Sequence, residues 1–354
     1  PVKPAFTTSG RIGDTRAALA TLDHIRLLVT SRPLAYRDAP SLVIFGRTAL
    51  KLGADPKEVL DQVYATASRL DPDSREVFLA RGELALEKGD FELAARAFGE
   101  GLKKHPGDPE FHHGLARAHA DGDREAMMAA LEAALRLNPR HAPSRLLVAA
   151  PRLDGEDYEG ARQMLAEARA VSPWLPEAWA YEAVIAHLRH EPDAETEARE
   201  KALRHWATNP AVDHLIGRKL SQKYRFAEGA AAQRQALRFD PEFLPAKAQL
   251  ATDLLRLGED EEGWRLAQEV HREDAYDVTA FNLVTLRDVM AGYATLTNAH
   301  FTVRLAGREA AIYGARVLAL LERARTNLVP RYGAELALPT IVEIFAEEKD
   351  FGVR

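Results

Sequence analysis

The chain has 354 residues, 28% of them charged, a formal net charge of −6 and no cysteine. Without cysteine there are no disulfides and no thiolate metal sites, and no apolar run approaches the roughly 20 residues needed to cross a bilayer. Acidic residues outnumber basic ones and the two signs are interleaved, so no nucleic-acid partner is expected.

In chain order, Asp14 to Val29 reads as an amphipathic helix, and Leu42 to Pro72 as a degenerate helix pair with Leu60, Tyr64 and Ala67 in its second helix. The clearest pair runs from Arg75 to Pro106. Gly82 and Ala94 are small where its helices approach closely, and Phe78 and Phe98 fill the gap between them. Lys88, Gly89 and Asp90 form the turn, with glycine in the left-handed conformation that ends one helix and aspartate capping the next. Further pairs begin at Pro109, Ala142 and Pro176. The turn of the last is expected to swell over His187 to Glu195, so that its second helix restarts near Glu195. The unit ending at Asp240 and Pro241 is expected to be short, and the one from Leu244 closes at Glu273 to Ala275 without a proline.

Prolines recur at Pro72, Pro106, Pro139, Pro173, Pro210 and Pro241, at intervals of 34, 33, 34, 37 and 31 residues. A period of this size means a stacked helical solenoid. On Phe78, Gly82, Ala94, Phe98, Gly101 and Pro106 the units resemble the tetratricopeptide repeat. That resemblance implies a mostly α fold, a right-handed superhelix of helix pairs, with a concave groove in which protein or peptide partners dock. The groove is lined from the second, fifth, ninth and twelfth positions of each first helix.

Mapped onto this chain, those positions are Glu76, Leu79, Glu83 and Leu86; Glu110, His113, Arg117 and Ala120; Pro143, Leu146, Ala150 and Leu153; Glu177, Ala180, Val184 and His187; and His214, Arg218 and Ser221. The candidate contacts among them are Glu76, Glu83, His113, Arg117, Leu146, Ala150, Leu153, Ala180, Val184, His187, His214 and Arg218. Leu146, Ala150, Leu153, Ala180 and Val184 form an apolar strip that either holds a hydrophobic segment of a partner or packs against a neighbouring unit. Arg117 and Arg218 stand about two and a half units apart and are not expected to converge as a clamp for an acidic C-terminus.

No residue is assigned to catalysis, a cofactor or a metal. His187 and His190 read as a surface pair at a helix C-terminus, where imidazole is favoured. His112, His113 and His119 share a helix but point apart. Neither a phosphate-cradling glycine loop nor a Gly-x-Ser-x-Gly elbow is present.

The composition changes near Tyr293. His300 to Leu305 alternates with period two and reads as a strand. Arg308 to Tyr332 reads as a long helix with Ala311, Ala315, Leu318, Leu321 and Leu328 on one side, and Pro339 to Phe345 as a second strand. The expected organisation is an N-terminal helical region over 1–40, the repeat array over 41–293 and a partial α/β module over 294–354. On Asn282, His300, Phe301, Arg304, Glu343, Phe345, Asp350, Phe351 and Arg354 the tail resembles the entry into the peptidase-MA-like gluzincin domains that follow tetratricopeptide arrays in some bacterial proteins. That family holds zinc on a His-Glu-x-x-His helix with a later glutamate. No such motif occurs here, so no ligand is carried over. The chain is expected to be a portion of a longer protein, with any zinc and peptidase activity beyond residue 354. Two readings follow: an interaction scaffold for a protein or peptide, or the substrate-recruiting front of a secreted or periplasmic zinc metallopeptidase.

Overall fold

The computed structural model describes residues 15–31, 37–336 and 339–354. Helix α1 spans Thr15–Ser31 and α2 spans Ala39–Lys51; Asp14, included in the expected first helix, lies outside the described residues. Helix α3 is an α-helical turn at Pro56–Glu58, a π-helical stretch at Val59–Tyr64 and an α-helical stretch at Ala65–Leu70. Six full pairs follow: α4 Arg75–Glu87 with α5 Phe91–Lys104, α6 Pro109–His119 with α7 Arg124–Leu137, and α8 Ala142–Asp154 with α9 Tyr158–Val171. Then come α10 Pro176–Leu188 with α11 Pro192–Leu203, α12 Pro210–Gln222 with α13 Phe226–Phe239, and α14 Leu244–Leu257 with α15 Asp260–Glu273. A further first-type helix, α16 Val278–Met290, closes the array; it was not read from the sequence.

First helices begin at Arg75, Pro109, Ala142, Pro176, Pro210, Leu244 and Val278, at intervals of 34, 33, 34, 34, 34 and 34. The uneven proline spacing has a simple cause. Pro72, Pro106, Pro139, Pro173 and Pro241 lie in the loop three residues ahead of a first helix, whereas Pro210 is itself the first residue of α12. The unit ending at Pro241 is therefore of full length.

The turn after α10 is not swollen either. Helix α11 begins at Pro192, where proline's fixed φ suits a first helical position, and the turn is only Arg189 to Glu191. Its swollen look came from His190, which takes φ +60° at the site where Gly89 (+74°) and Gly258 (+79°) turn their units; Glu156 and Tyr224 do the same at +63° and +61°. The first full turn agrees with expectation: Gly89 is left-handed and the Asp90 carboxylate accepts from the Leu93 N–H at 3.0 Å.

Small residues set how closely the helices approach. A Cβ on Gly82 of α4 would lie 2.5 Å from the Phe98 ring, one on Gly114 of α6 2.6 Å, and one on Gly46 of α2 2.4 Å from the Tyr64 ring. Each ring thus sits directly against a neighbouring backbone.

The right-handed superhelix curls tightly enough to meet itself. Lys88 Nζ lies 2.5 Å from Asp274 Oδ2, the Tyr276 hydroxyl donates to Asp90 Oδ2 at 3.0 Å, and the Val278 N–H donates to the Lys88 carbonyl at 2.9 Å. These partners are 186 residues apart for the first two contacts. The α4–α5 turn therefore rests on the loop before α16, and that stretch of chain makes about one superhelical turn around a narrow lumen.

The tail forms a three-stranded sheet in the order β1-β2-β3, with β1 Tyr293–Thr297 antiparallel to β2 Phe301–Ala306 and β3 Thr340–Ile344 parallel to β2. Helix α17, Gly307–Tyr332, makes the crossover, and a short α18, Glu348–Val353, ends the module. Strand β1 and α18 were not anticipated. Helix α17 turns a different face to the sheet from the one expected: Ala310, Tyr313, Val317, Leu318 and Leu321 pack over Phe301, Val303 and Leu305, while Ala311, Ala315 and Leu328 are exposed.

On the other face of the sheet, Arg304 and Arg354 share the carboxylates of Glu343 and Asp260, the latter at the start of α15. The Arg354 guanidinium also lies 5.5 Å over the Trp264 ring. Replacing Asp260 by alanine is expected to loosen this docking, so that limited proteolysis cuts within residues 294–354 before it cuts the repeats. Identical digestion patterns for the variant and the parent chain would show that the ion network does not hold the module in place.

Candidate functional site

Only part of the lining expected from the first helices is open. Leu146, Ala150, Leu153, Ala180 and Val184 are between 0 and 9% exposed and pack with Leu165, Ile185, Ile216 and Leu220. The apolar strip is thus interior packing and not a docking surface. Tight curling is the reason. Lys219 of α12 reaches both carboxylate oxygens of Asp154 on α8, each at 3.2 Å, and Lys223 donates to the Asp154 carbonyl at 2.9 Å, so polar side chains bridge units that are not adjacent.

The polar candidates divide into struts and free groups. His187 places its Nδ1 3.0 Å from Glu195 and its Nε2 3.2 Å from Glu228, joining α10, α11 and α13. His190 sits in the neighbouring turn, so the two histidines do not converge. The His214 Nδ1 is 2.9 Å from Gln233 Oε1, and burial pushes this imidazole down to about 4. Glu76 pairs with Arg75, which also holds Asp108, and Glu83 pairs with Arg47 at 2.5 Å. Glu83 and Glu87 line a cavity of about 440 Å³ between α1, α2 and α4, walled by Leu22, Ile25, Ile44 and Leu84.

His113 belongs to a row that local sequence did not reveal. The Ser144 hydroxyl lies 3.2 Å from His113 Nδ1 and 2.7 Å from His141 Nδ1, and His141 Nε2 lies 3.2 Å from Glu110. Serine, histidine and glutamate in series have the connectivity of a nucleophile, a base and an orienting acid. Ser144, however, is 0% exposed, so no substrate carbonyl can reach its oxygen. His141 also caps α8 by accepting from the Ser144 N–H. The row is a strut between α6 and α8, and burial, aided by Arg117 and His141, pushes His113 down to about 3.

Arg117 and Arg218 are the free groups. Both are exposed, and neither has a hydrogen-bond or ion-pair partner among the described residues. Each stands at the ninth position of its helix, in α6 and α12. Although its side chain has accessible surface, partial desolvation by the surrounding helices lowers the Arg117 pKa, Glu83 and Glu87 oppose that shift, and the charge of Arg218 adds to it. The two arginines belong to units that are not adjacent, on α6 and α12. Among the described residues no three His, Cys, Asp or Glu side chains converge as metal ligands, and no helix is long and apolar enough to cross a membrane.

Fold and lumen together define a helical-repeat scaffold. Residues 75–118 match the tetratricopeptide repeat family, and the helix pairs of the array pack like those of tetratricopeptide solenoids. No curated protein matches the sequence. Among solved structures, the chain is similar to a chain of the APC/C hetero-tetramer Cut9-Hcn1, at 15% identity and a TM-score of 0.46 over 75% of this chain and 52% of that one. Similarity to yeast Tom70 is at 17% identity and a TM-score of 0.47, over 77% of this chain and 59% of that one. For the human IFIT1 dimer with m7Gppp-AAAA the figures are 18% and 0.46, over 80% and 69%. The chain thus spans about half the length of the Cut9-Hcn1 chain it resembles.

Proposed function

We propose that this chain is a protein-binding scaffold whose lumen receives a polar, carboxylate-bearing segment of a partner polypeptide. The observation that carries this reading is the pair Arg117 and Arg218, exposed, without a side-chain hydrogen-bond or ion-pair partner among the described residues and at the same ninth position of α6 and α12, while the apolar positions of the same frame are buried. Arginine's planar fork suits carboxylates, and it is a favoured anchor residue in interfaces. Glu83 and Glu87 near the same space favour a segment that also carries a basic residue. An extended segment could make such contacts with several units at once.

A panel of immobilised synthetic peptides, acidic, neutral and basic, tests the reading. The parent chain is expected to retain acidic peptides selectively. The double variant Arg117→Glu and Arg218→Glu should lose them by about tenfold or more, given the usual weight of an arginine anchor. Equal retention by the variant would overturn the assignment of these two residues. Retention of basic peptides in preference to acidic ones would overturn the ligand class.

A further inference from the structure

Three of the chain's four tryptophans surround one cavity on the edge of the array where first helices begin and second helices end. The cavity, about 260 Å³, is lined by Trp174, Trp179 and Trp206 with Lys201, Arg204 and His205, and its lining contains no carboxylate. Trp174 is 66% exposed, with its ring edge-on to His205 at 4.3 Å. Trp179 forms the inner wall, with Arg169 4.3 Å and Lys201 4.7 Å from its ring centroid. Lys201 pairs with Glu197, whereas Arg204 is exposed and has no partner among the described residues.

We infer that this cavity is a second docking site, taking a proline-containing acidic segment of a partner protein. Aromatic-lined grooves recognise proline because the extended polyproline conformation is already formed and proline rings pack on aromatic faces. Trp174 and Trp206 leave indole surface for such a ring, and Arg204 meets a carboxylate beside it.

The chemistry excludes the obvious competitors. An aromatic cage for an ammonium group presents bare ring faces, but here the cations on Trp179 and the charge of Arg204 repel a cationic guest. The volume lies below the roughly 300 to 1,000 Å³ of small-molecule sites and suits a single anchoring residue. A nucleic-acid strand needs a track of basic residues along its backbone, whereas Arg204 is the one unpaired arginine or lysine of this lining among the described residues.

The test is a fluorescence titration of the full chain with a short synthetic peptide of alternating proline and glutamate. The three indoles of the cavity report binding, and Trp264 lies elsewhere under Arg354. A saturable change is expected. Trp174→Ala, at an exposed position, should abolish it, and Arg204→Glu should weaken it by about tenfold, the usual scale for loss of one charged anchor. The Arg117→Glu and Arg218→Glu variant should keep it, which separates this site from the lumen. Three results would each overturn the inference: no saturable change, an equal response to a proline–lysine peptide, or saturation by a single-stranded oligonucleotide in place of the acidic peptide.

Discussion

Replacing Phe98 by alanine is expected to destabilise the chain by about 3–5 kcal/mol, the usual cost of deleting a fully packed phenylalanine. Phe98 is 2% exposed, and its ring lies between Gly82 of α4 and Gly114 of α6, so one side chain holds three helices from two successive units. The glycine backbones already touch the ring and cannot move in to fill the space without displacing whole helices. Adding volume on the other side is also unfavourable. Gly82→Ala puts a methyl group 2.5 Å from the ring and should cost about 1–3 kcal/mol. Because that methyl group occupies space the ring needs, Gly82→Ala combined with Phe98→Leu should be less destabilised than the sum of the single changes. Denaturant unfolding of the four proteins measures this, and strict additivity would mean that the glycine and the ring do not share one site. Repeat arrays are coupled mainly through neighbouring interfaces, so the Phe98→Ala curve should also show units near the N-terminus melting ahead of the rest.

The second large effect concerns Asp253 of α14, which is 0% exposed. Its Oδ1 accepts from Gln249 at 2.9 Å, but its Oδ2 has no hydrogen-bond partner, since the nearby Ser221 hydroxyl donates to the Gly217 carbonyl. Burial pushes this carboxyl up to about 6 from an ordinary 3.8. A raised carboxyl holds its proton in the folded state after the unfolded chain has released it. Its contribution to stability therefore falls as pH rises from about 4 to 6, and the loss reaches about 3 kcal/mol above that window.

His113 and His214 act in the opposite direction. Both are buried neutral, at about 3 and about 4 against an ordinary 6.5, so their contribution is present above 6.5 and is lost as pH falls. The parent chain alone therefore does not isolate the aspartate. The difference between Asp253→Asn and the parent does: the variant should gain about 3 kcal/mol relative to the parent between pH 4 and pH 7. A difference that stays constant with pH would mean that the Asp253 carboxyl titrates normally.

Much of the repeat architecture was legible because its signals are local. Gly82, Ala94 and Phe98 repeat a pattern of small and large residues that any helix pair of this length must satisfy, and Gly89 with Asp90 is a turn with its own backbone chemistry. The fold departs from the sequence pattern where local chemistry is unusual. His190 and Tyr224 occupy left-handed positions that favour glycine, which disguised ordinary turns. Pro210 stands inside a helix start and not in a loop, which distorted the period. Strand β1 has a local signal in Tyr293, Thr295 and Thr297 between Gly292 and Asn298, at the join between array and tail.

The helix pairs, their period near 34 residues and the change to strand, helix and strand after the array are legible from residue order alone, since each depends on contacts between residues close along the chain. Which lumen positions are open depends instead on how the units assemble. The small rotation between successive units adds up over six pairs until Lys88 meets Asp274 and Lys219 reaches Asp154 across an intervening unit. That accumulated curvature is a property of every interface together, so no single unit of the sequence records it.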